Sequence, residues 1–216
     1  MNIDPLIRRS VESMLRTDLL REQIITEASL LGPGVLEALA TAGVSISAVP
    51  FGARLTDYAS KARQYGITVP IGASGVFLPS EATLYMLDDT RATAIHELAH
   101  ALDFAMGHGR KAGDGEASLK TQIDPEFARR IRGNGESPTP YGETNTQEFF
   151  AESLRAYCGA DNSGTVFAAT GPWKLRVCNR PTMLALTSLM ISLNGRRFEG
   201  LRDHRTRALP SRQYDS

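Results

Sequence analysis

The stretch Ile95-His96-Glu97-Leu98-Ala99-His100-Ala101-Leu102-Asp103-Phe104-Ala105-Met106 constrains the fold more than any other part of this 216-residue chain. It contains neither Gly nor Pro before Gly107, and its apolar residues Ile95, Leu98, Leu102 and Met106 recur at three- and four-residue steps, the repeat of one helical face. The spacing predicts a helix that runs to Met106 and stops at Gly107, with Asp88 and Asp89 as its candidate caps. Residues four apart on a helix stand one above the other, so His96 and His100 can present two imidazole nitrogens to a single ion. Glu97 sits beside them, where a carboxylate can take a proton from a reacting water without itself being a ligand. With four histidines in the whole chain, this arrangement is expected by chance in well under ~1% of sequences of such length.

The remaining segments alternate between helical and extended periodicity. Asp4-Pro5 reads as an N-cap followed by Pro at the first helical position, and Ile7, Val11, Met14, Leu15, Leu19 and Ile25 suit one face of a single long helix from Pro5 to Ser29. Gly32-Pro33-Gly34 interrupts the chain, a shorter helix fits Val35 to Thr41, and Val44 to Val49 alternates like a half-buried strand closed by Pro50. A helical piece near Thr56 to Tyr65 precedes two short apolar runs, Gly75 to Leu78 and Thr83 to Leu87. Pro79 to Ala82 separates these runs, which together predict a hairpin. Further helices are expected at Pro125 to Ile131, Thr146 to Cys158 and Pro181 to Leu193. The pattern is that of an α+β domain over residues 31–195, with residues 1–30 as an amphipathic helix packed on it or appended to it. Residues 196–216, rich in arginine and without apolar periodicity, are expected to be a poorly ordered basic tail.

Composition narrows the partners. Twenty-four Lys and Arg balance twenty-four Asp and Glu, so no net field draws the molecule onto nucleic acid or an anionic membrane. No segment is apolar for long enough to insert into a bilayer, and the N-terminus has no signal-peptide pattern. The compartment stays open between the cytoplasm and export by a route that needs no signal peptide, and oligomeric state is not legible. Cys158 and Cys178 show no CxxC spacing, which leaves two free thiols or one disulfide.

A catalytic metal held by two imidazoles needs a third protein ligand. Asp103 and Met106 stand where the longer HExxHxxGxxH pattern has its Gly and its third His, so that pattern is absent. His108 lies beyond Gly107, and His204 falls in the expected tail. Glu148 and Glu152 are better placed: four apart on one expected helix, they face the same way among Phe149, Phe150, Ala151 and Leu154, where an uncompensated carboxylate is costly. Such a pair can divide its work, one carboxylate binding the metal while the other holds the free ring N–H of a ligand histidine.

Taken together in order and spacing, His96-Glu97-Leu98-Ala99-His100-Ala101-Leu102-Asp103 and Pro140-Tyr141-Gly142-Glu143-Thr144-Asn145-Thr146-Gln147-Glu148-Phe149-Phe150-Ala151-Glu152 resemble the anthrax lethal factor family of zinc metallopeptidases and the related Pro-Pro endopeptidases. The resemblance extends more loosely from about Leu31 to Leu193, through Ala42-Gly43-Val44 and Asn179-Arg180-Pro181. It implies a zincin-like domain, with a small, twisted, mostly antiparallel sheet packed on the helix of His96 and His100 and a helical C-terminal half. It further implies one Zn2+ per chain held by His96, His100 and Glu148, with Glu97 activating water and Tyr141 donating a hydrogen bond to the developing oxyanion. Glu152 and Asp103 would lie just outside the ligands, and the strand at Gly75, Val76 and Phe77 would lie along an extended protein or peptide substrate. The expected activity is endopeptidase cleavage; the alternative is a zinc-containing, catalytically weak protein that binds a peptide or partner. The first 30 residues match no motif of the family, and the delivery domains of its toxin member have no counterpart here.

Overall fold

In the computed structural model, described for residues 3–18, 20–50, 52–70, 72–87, 93–107, 119–159 and 172–206, the chain opens with three helices. These are α1 (Pro5–Met14), α2 (Arg21–Ala28) and α3 (Pro33–Thr41). Asp4 caps α1 by accepting from Leu6 N–H. The single long helix expected from Pro5 to Ser29 is therefore broken. The chain leaves the helix at Leu15 because the sheet offers it partners: Leu15 bridges Ile46 in parallel, and Arg16 N–H donates to Ile46 C=O at 2.7 Å. Leu20, at φ +58°, turns the chain back into α2. The detour covers an edge that would otherwise carry unpaired backbone groups.

Three strands follow with a short helix between the first two: β1 (Ser45–Ala48), α4 (Ala59–Arg63), β2 (Gly75–Leu78) and β3 (Thr83–Met86). The hairpin is present, with Gly75 opposite Met86 and Leu78 opposite Thr83. The sheet order is β1-β3-β2, and β1 runs parallel to β3. One parallel and one antiparallel pairing replace the mostly antiparallel sheet expected. The long connection through α4 and β2 returns β3 in the direction of β1, the kind of crossover a parallel pair requires.

The central helix α5 (Thr93–Met106) is buried along almost its whole length, from Ala94 to Phe104. It packs against α8 on one side, β2 and β3 on another, and α2 and α3 on a third. Ile95, Leu98 and Leu102 enter the core as the sequence periodicity requires, and Gly107 follows the helix end. Asp88, Asp89 and His108 lie outside the described residues. Beyond come α6 (Lys120–Ile123), α7 (Pro125–Arg132), α8 (Thr146–Tyr157), α9 (Pro172–Cys178) and α10 (Arg180–Thr206). Neither α6 nor α9 is visible in the sequence pattern, since each is too short to establish a repeat. The last helix runs past Leu193 to Thr206, so the basic stretch from Arg196 begins inside it; apolar periodicity ends there, but helix propensity does not. Residues 207–216 lie outside the description.

One apolar core joins these elements. Val11 and Met14 of α1, Ile24 and Ile25 of α2, Leu36 of α3, Leu98 of α5, Phe150 of α8 and Leu186 of α10 belong to the same cluster. Cys158 and Cys178 are free and partly buried. No single described helix is long and apolar enough to cross a membrane.

The packing of α3 on α10 depends on Gly34. A Cβ there would lie 2.1 Å from Leu193 C=O, and the Gly34 N–H donates to Asn194 Oδ1 at 2.8 Å. Gly34→Ala is expected to force the two helices apart and to cost about 1–3 kcal/mol of stability. Urea unfolding checks this, and an unchanged midpoint and slope would contradict the contact.

Candidate metal centre

Helix α8 begins at Asn145, whose Oδ1 accepts from Glu148 N–H at 2.9 Å, and its first two turns carry Glu148 and Glu152 against α5. Both carboxylates are buried, at 0% and 2% exposure, as are His96 and His100 at 8% and 0%. Four ionisable side chains thus share a space from which water is largely excluded, and their mutual contacts must replace hydration.

Three of their atoms converge. His96 Nε2 lies 3.2 Å from His100 Nε2 and 3.2 Å from Glu148 Oε2, and His100 Nε2 lies 3.3 Å from the same oxygen. The triangle is nearly equilateral. Ligands about 2.0–2.1 Å from a tetrahedral ion are separated by roughly 3.3–3.4 Å, so the edges match one face of such a coordination shell. Glu148 Oε2 has no hydrogen-bond partner despite complete burial. An acceptor placed between two ring nitrogens is compensated either by a proton on an imidazole or by a bound cation. His96, His100 and Glu148 could therefore hold a metal ion, and the donor set fits it.

The surrounding contacts fix each donor's orientation. Glu152 Oε1 meets His96 Nδ1 at 2.8 Å, which directs Nε2 toward Glu148 and His100. The other Glu152 oxygen accepts from Thr139 Oγ1 at 2.7 Å and from an Arg155 guanidinium nitrogen at 2.6 Å. Glu148 Oε1 accepts from Thr68 N–H at 2.7 Å, leaving Oε2 as the oxygen that faces the imidazoles. Among the described residues Asp103 is not joined to a histidine by a hydrogen bond. Its carboxylate accepts from the Thr121 N–H and hydroxyl and so ties α5 to the start of α6. Burial pushes Asp103 up to about 6.

The electrostatics follow from this crowding. Burial works against a charge on His96, but Glu148 and Glu152 outweigh it and push the imidazole up to about 10. Burial likewise opposes ionisation of Glu148, yet the two imidazoles, His100 ahead of His96, hold it well below the usual carboxylate range. Glu97 goes the other way. Its burial, only partly offset by His96 and His100, raises its pKa, and Phe77 N–H donates to its Oε2 at 2.8 Å. Tyr141 lies beside His96, with ring centroids 5.8 Å apart, and its hydroxyl donates to Thr68 C=O at 2.8 Å. Burial and the neighbouring carboxylates raise its pKa, so the hydroxyl remains a donor.

The structure thus brings His96, Glu97, His100, Tyr141, Glu148 and Glu152 to one place. Gly75, Val76 and Phe77 form the outer strand of the sheet next to Glu97, and all three are buried. A Cβ on Gly75 would lie 2.9 Å from Glu97 Cγ, so glycine allows α5 to approach this strand. Sequence reasoning missed Thr68, Thr121, Thr139 and Arg155 as supports. Arg155, three residues after Glu152 on the same helix, was accessible from spacing. Thr68 acts through its backbone and leaves no sequence signal.

No protein-family model matches the chain, and no curated protein matches it in sequence. Among solved structures it is similar to the Pro-Pro endopeptidase of Paenibacillus alvei, at 17% identity and a TM-score of 0.47, over 83% of this chain and 99% of that one.

Equilibrium dialysis against a divalent transition metal is expected to saturate at one ion per chain in the wild type. Binding should be lost in His100→Ala and Glu148→Ala. Glu152→Gln, which weakens the support behind His96, is expected to bind about 10–100-fold more weakly with its fold retained.

Proposed function

We propose that this protein is a zinc-dependent endopeptidase with a zincin-like catalytic domain, as the resemblance of its two motifs implies. The observation that carries the reading is the buried triangle of His96 Nε2, His100 Nε2 and Glu148 Oε2 with the Glu97 carboxylate alongside. Two imidazoles and one carboxylate suit zinc, and three protein ligands leave a coordination position for chemistry. When bound, the ion supplies Lewis acidity toward a peptide carbonyl and lowers the pKa of a water.

The protein's own groups do the rest. Glu97 accepts the water proton and passes it to the leaving amine; its raised pKa suits a group that must both take and release a proton. The Phe77 N–H holds one Glu97 oxygen and keeps the carboxylate beside the strand. Tyr141, protonated, turns its hydroxyl from Thr68 C=O to the oxyanion as the carbonyl becomes tetrahedral. An extended peptide substrate adds along the outer strand at Gly75, Val76 and Phe77, so that its scissile bond lies over Glu97.

Glu97→Gln keeps the size of the side chain and removes the base. It is expected to bind zinc normally and to cleave a diverse peptide library about 100- to 10,000-fold more slowly than the wild type. Mass spectrometry of new termini is the measurement. Chelation should abolish cleavage and added zinc restore it. Wild-type turnover in Glu97→Gln would overturn the mechanism, and a zinc-loaded wild type that produces no new termini would favour a peptide-binding protein.

A further inference from the structure

Residues 65–70, between α4 and β2, contribute no side chain to the metal triangle, yet their backbone is tied around it at four points. Gln122 Nε2 donates to Tyr65 C=O at 2.8 Å, and Asn145 Nδ2 donates to Gly66 C=O at 2.7 Å. Thr68 N–H donates to Glu148 Oε1, and Tyr141 donates its hydroxyl to Thr68 C=O. The approach is close. Gly66 has φ +75°, in the left-handed region that favours glycine, and a Cβ there would lie 3.1 Å from Gln147 Oε1 of α8.

Asn145 uses both ends of its amide. Its Oδ1 caps α8 by accepting from Glu148 N–H, while its Nδ2 holds Gly66, two residues before Thr68. One side chain thus fixes the main chain of Glu148 and the segment whose Thr68 N–H engages the Glu148 carboxylate. Because Oε1 is engaged, Glu148 offers the triangle a single oxygen, Oε2. Thr68 C=O sets the resting position of Tyr141 at the same time.

We propose that Asn145 is a positioning residue: by clamping Gly66, and through it Thr68, onto α8, it holds Glu148 as a one-oxygen ligand and Tyr141 at the edge of the site. The inference rests on the metal-centre reading for its consequence, but the clamp itself can be tested without metal. A purely structural role for Asn145 is the helix cap, and Asp or Ser preserves a cap oxygen while lacking the amide donor to Gly66. Agreement between the two variants separates loss of the donor from the charge that Asp adds.

The full chain is prepared as wild type, Asn145→Asp and Asn145→Ser. Amide hydrogen exchange on the metal-free proteins is expected to show faster exchange at Thr68 in both variants, with little change in melting temperature. Competition with a chromophoric chelator is expected to show zinc affinity reduced about tenfold in both. Wild-type exchange at Thr68 in both variants would overturn the clamp. Faster exchange with wild-type zinc affinity would overturn its role toward Glu148. If the wild type binds no zinc, the metal-centre reading fails, and the exchange data still decide whether Asn145 holds the segment.

Discussion

A buried carboxylate is among the most costly features a fold can contain unless it is compensated, and two of them lie between α5 and α8. The arrangement of the interior follows from how Glu148 and Glu152 are compensated. Glu152 is met by His96, Thr139 and Arg155, which satisfies both its oxygens. Among the described residues, Glu148 receives Thr68 N–H on one oxygen and faces two imidazole nitrogens with the other. That asymmetry separates a supporting carboxylate from one suited to bind an ion. Two residues four apart on one helix come to differ in role because of the elements that meet them.

The elements around this pair serve to hold it. The sheet supplies β2, whose Phe77 N–H restrains Glu97, and Gly75 permits the close packing that brings them together. Thr139 precedes Tyr141 by two residues, so its hydrogen bond to Glu152 links the Tyr141 turn to the support of His96. Asp103 connects α5 to α6 through Thr121, and the next residue, Gln122, reaches the segment before Thr68. A continuous set of hydrogen bonds therefore runs from the far end of α5 around to the beginning of α8. A site assembled from four separate stretches of chain can keep its atoms in register only through such ties.

Much of the arrangement was legible from local pattern. The helix from Thr93 to Met106, the hairpin of Gly75–Leu78 with Thr83–Met86, and the helix bearing Glu148 appear where periodicity places them. Glu148 and Glu152 could be paired because four-residue spacing on a helix is a geometric fact. The N-terminal helix was misread because its apolar repeat continues through Leu15, while the competing partner, Ile46, lies about thirty residues away. The parallel pairing of β1 with β3 was hidden for the same reason, since strand direction is set by the path of the connection.

The sequence by itself determined which side chains share a helical face: His96 with His100, and Glu148 with Glu152. It could do so because those relations depend only on the 3.6-residue turn. Only the tertiary structure decided that the two faces meet, that Glu148 and not Glu152 turns a bare oxygen toward both imidazoles, and that Asp103 supports α6 without bonding to either histidine. Those outcomes depend on backbone donors at Thr68, Phe77 and Thr121. A backbone N–H is the same in almost every residue, so its place in a site is set by the fold and cannot be read from the letters of the chain.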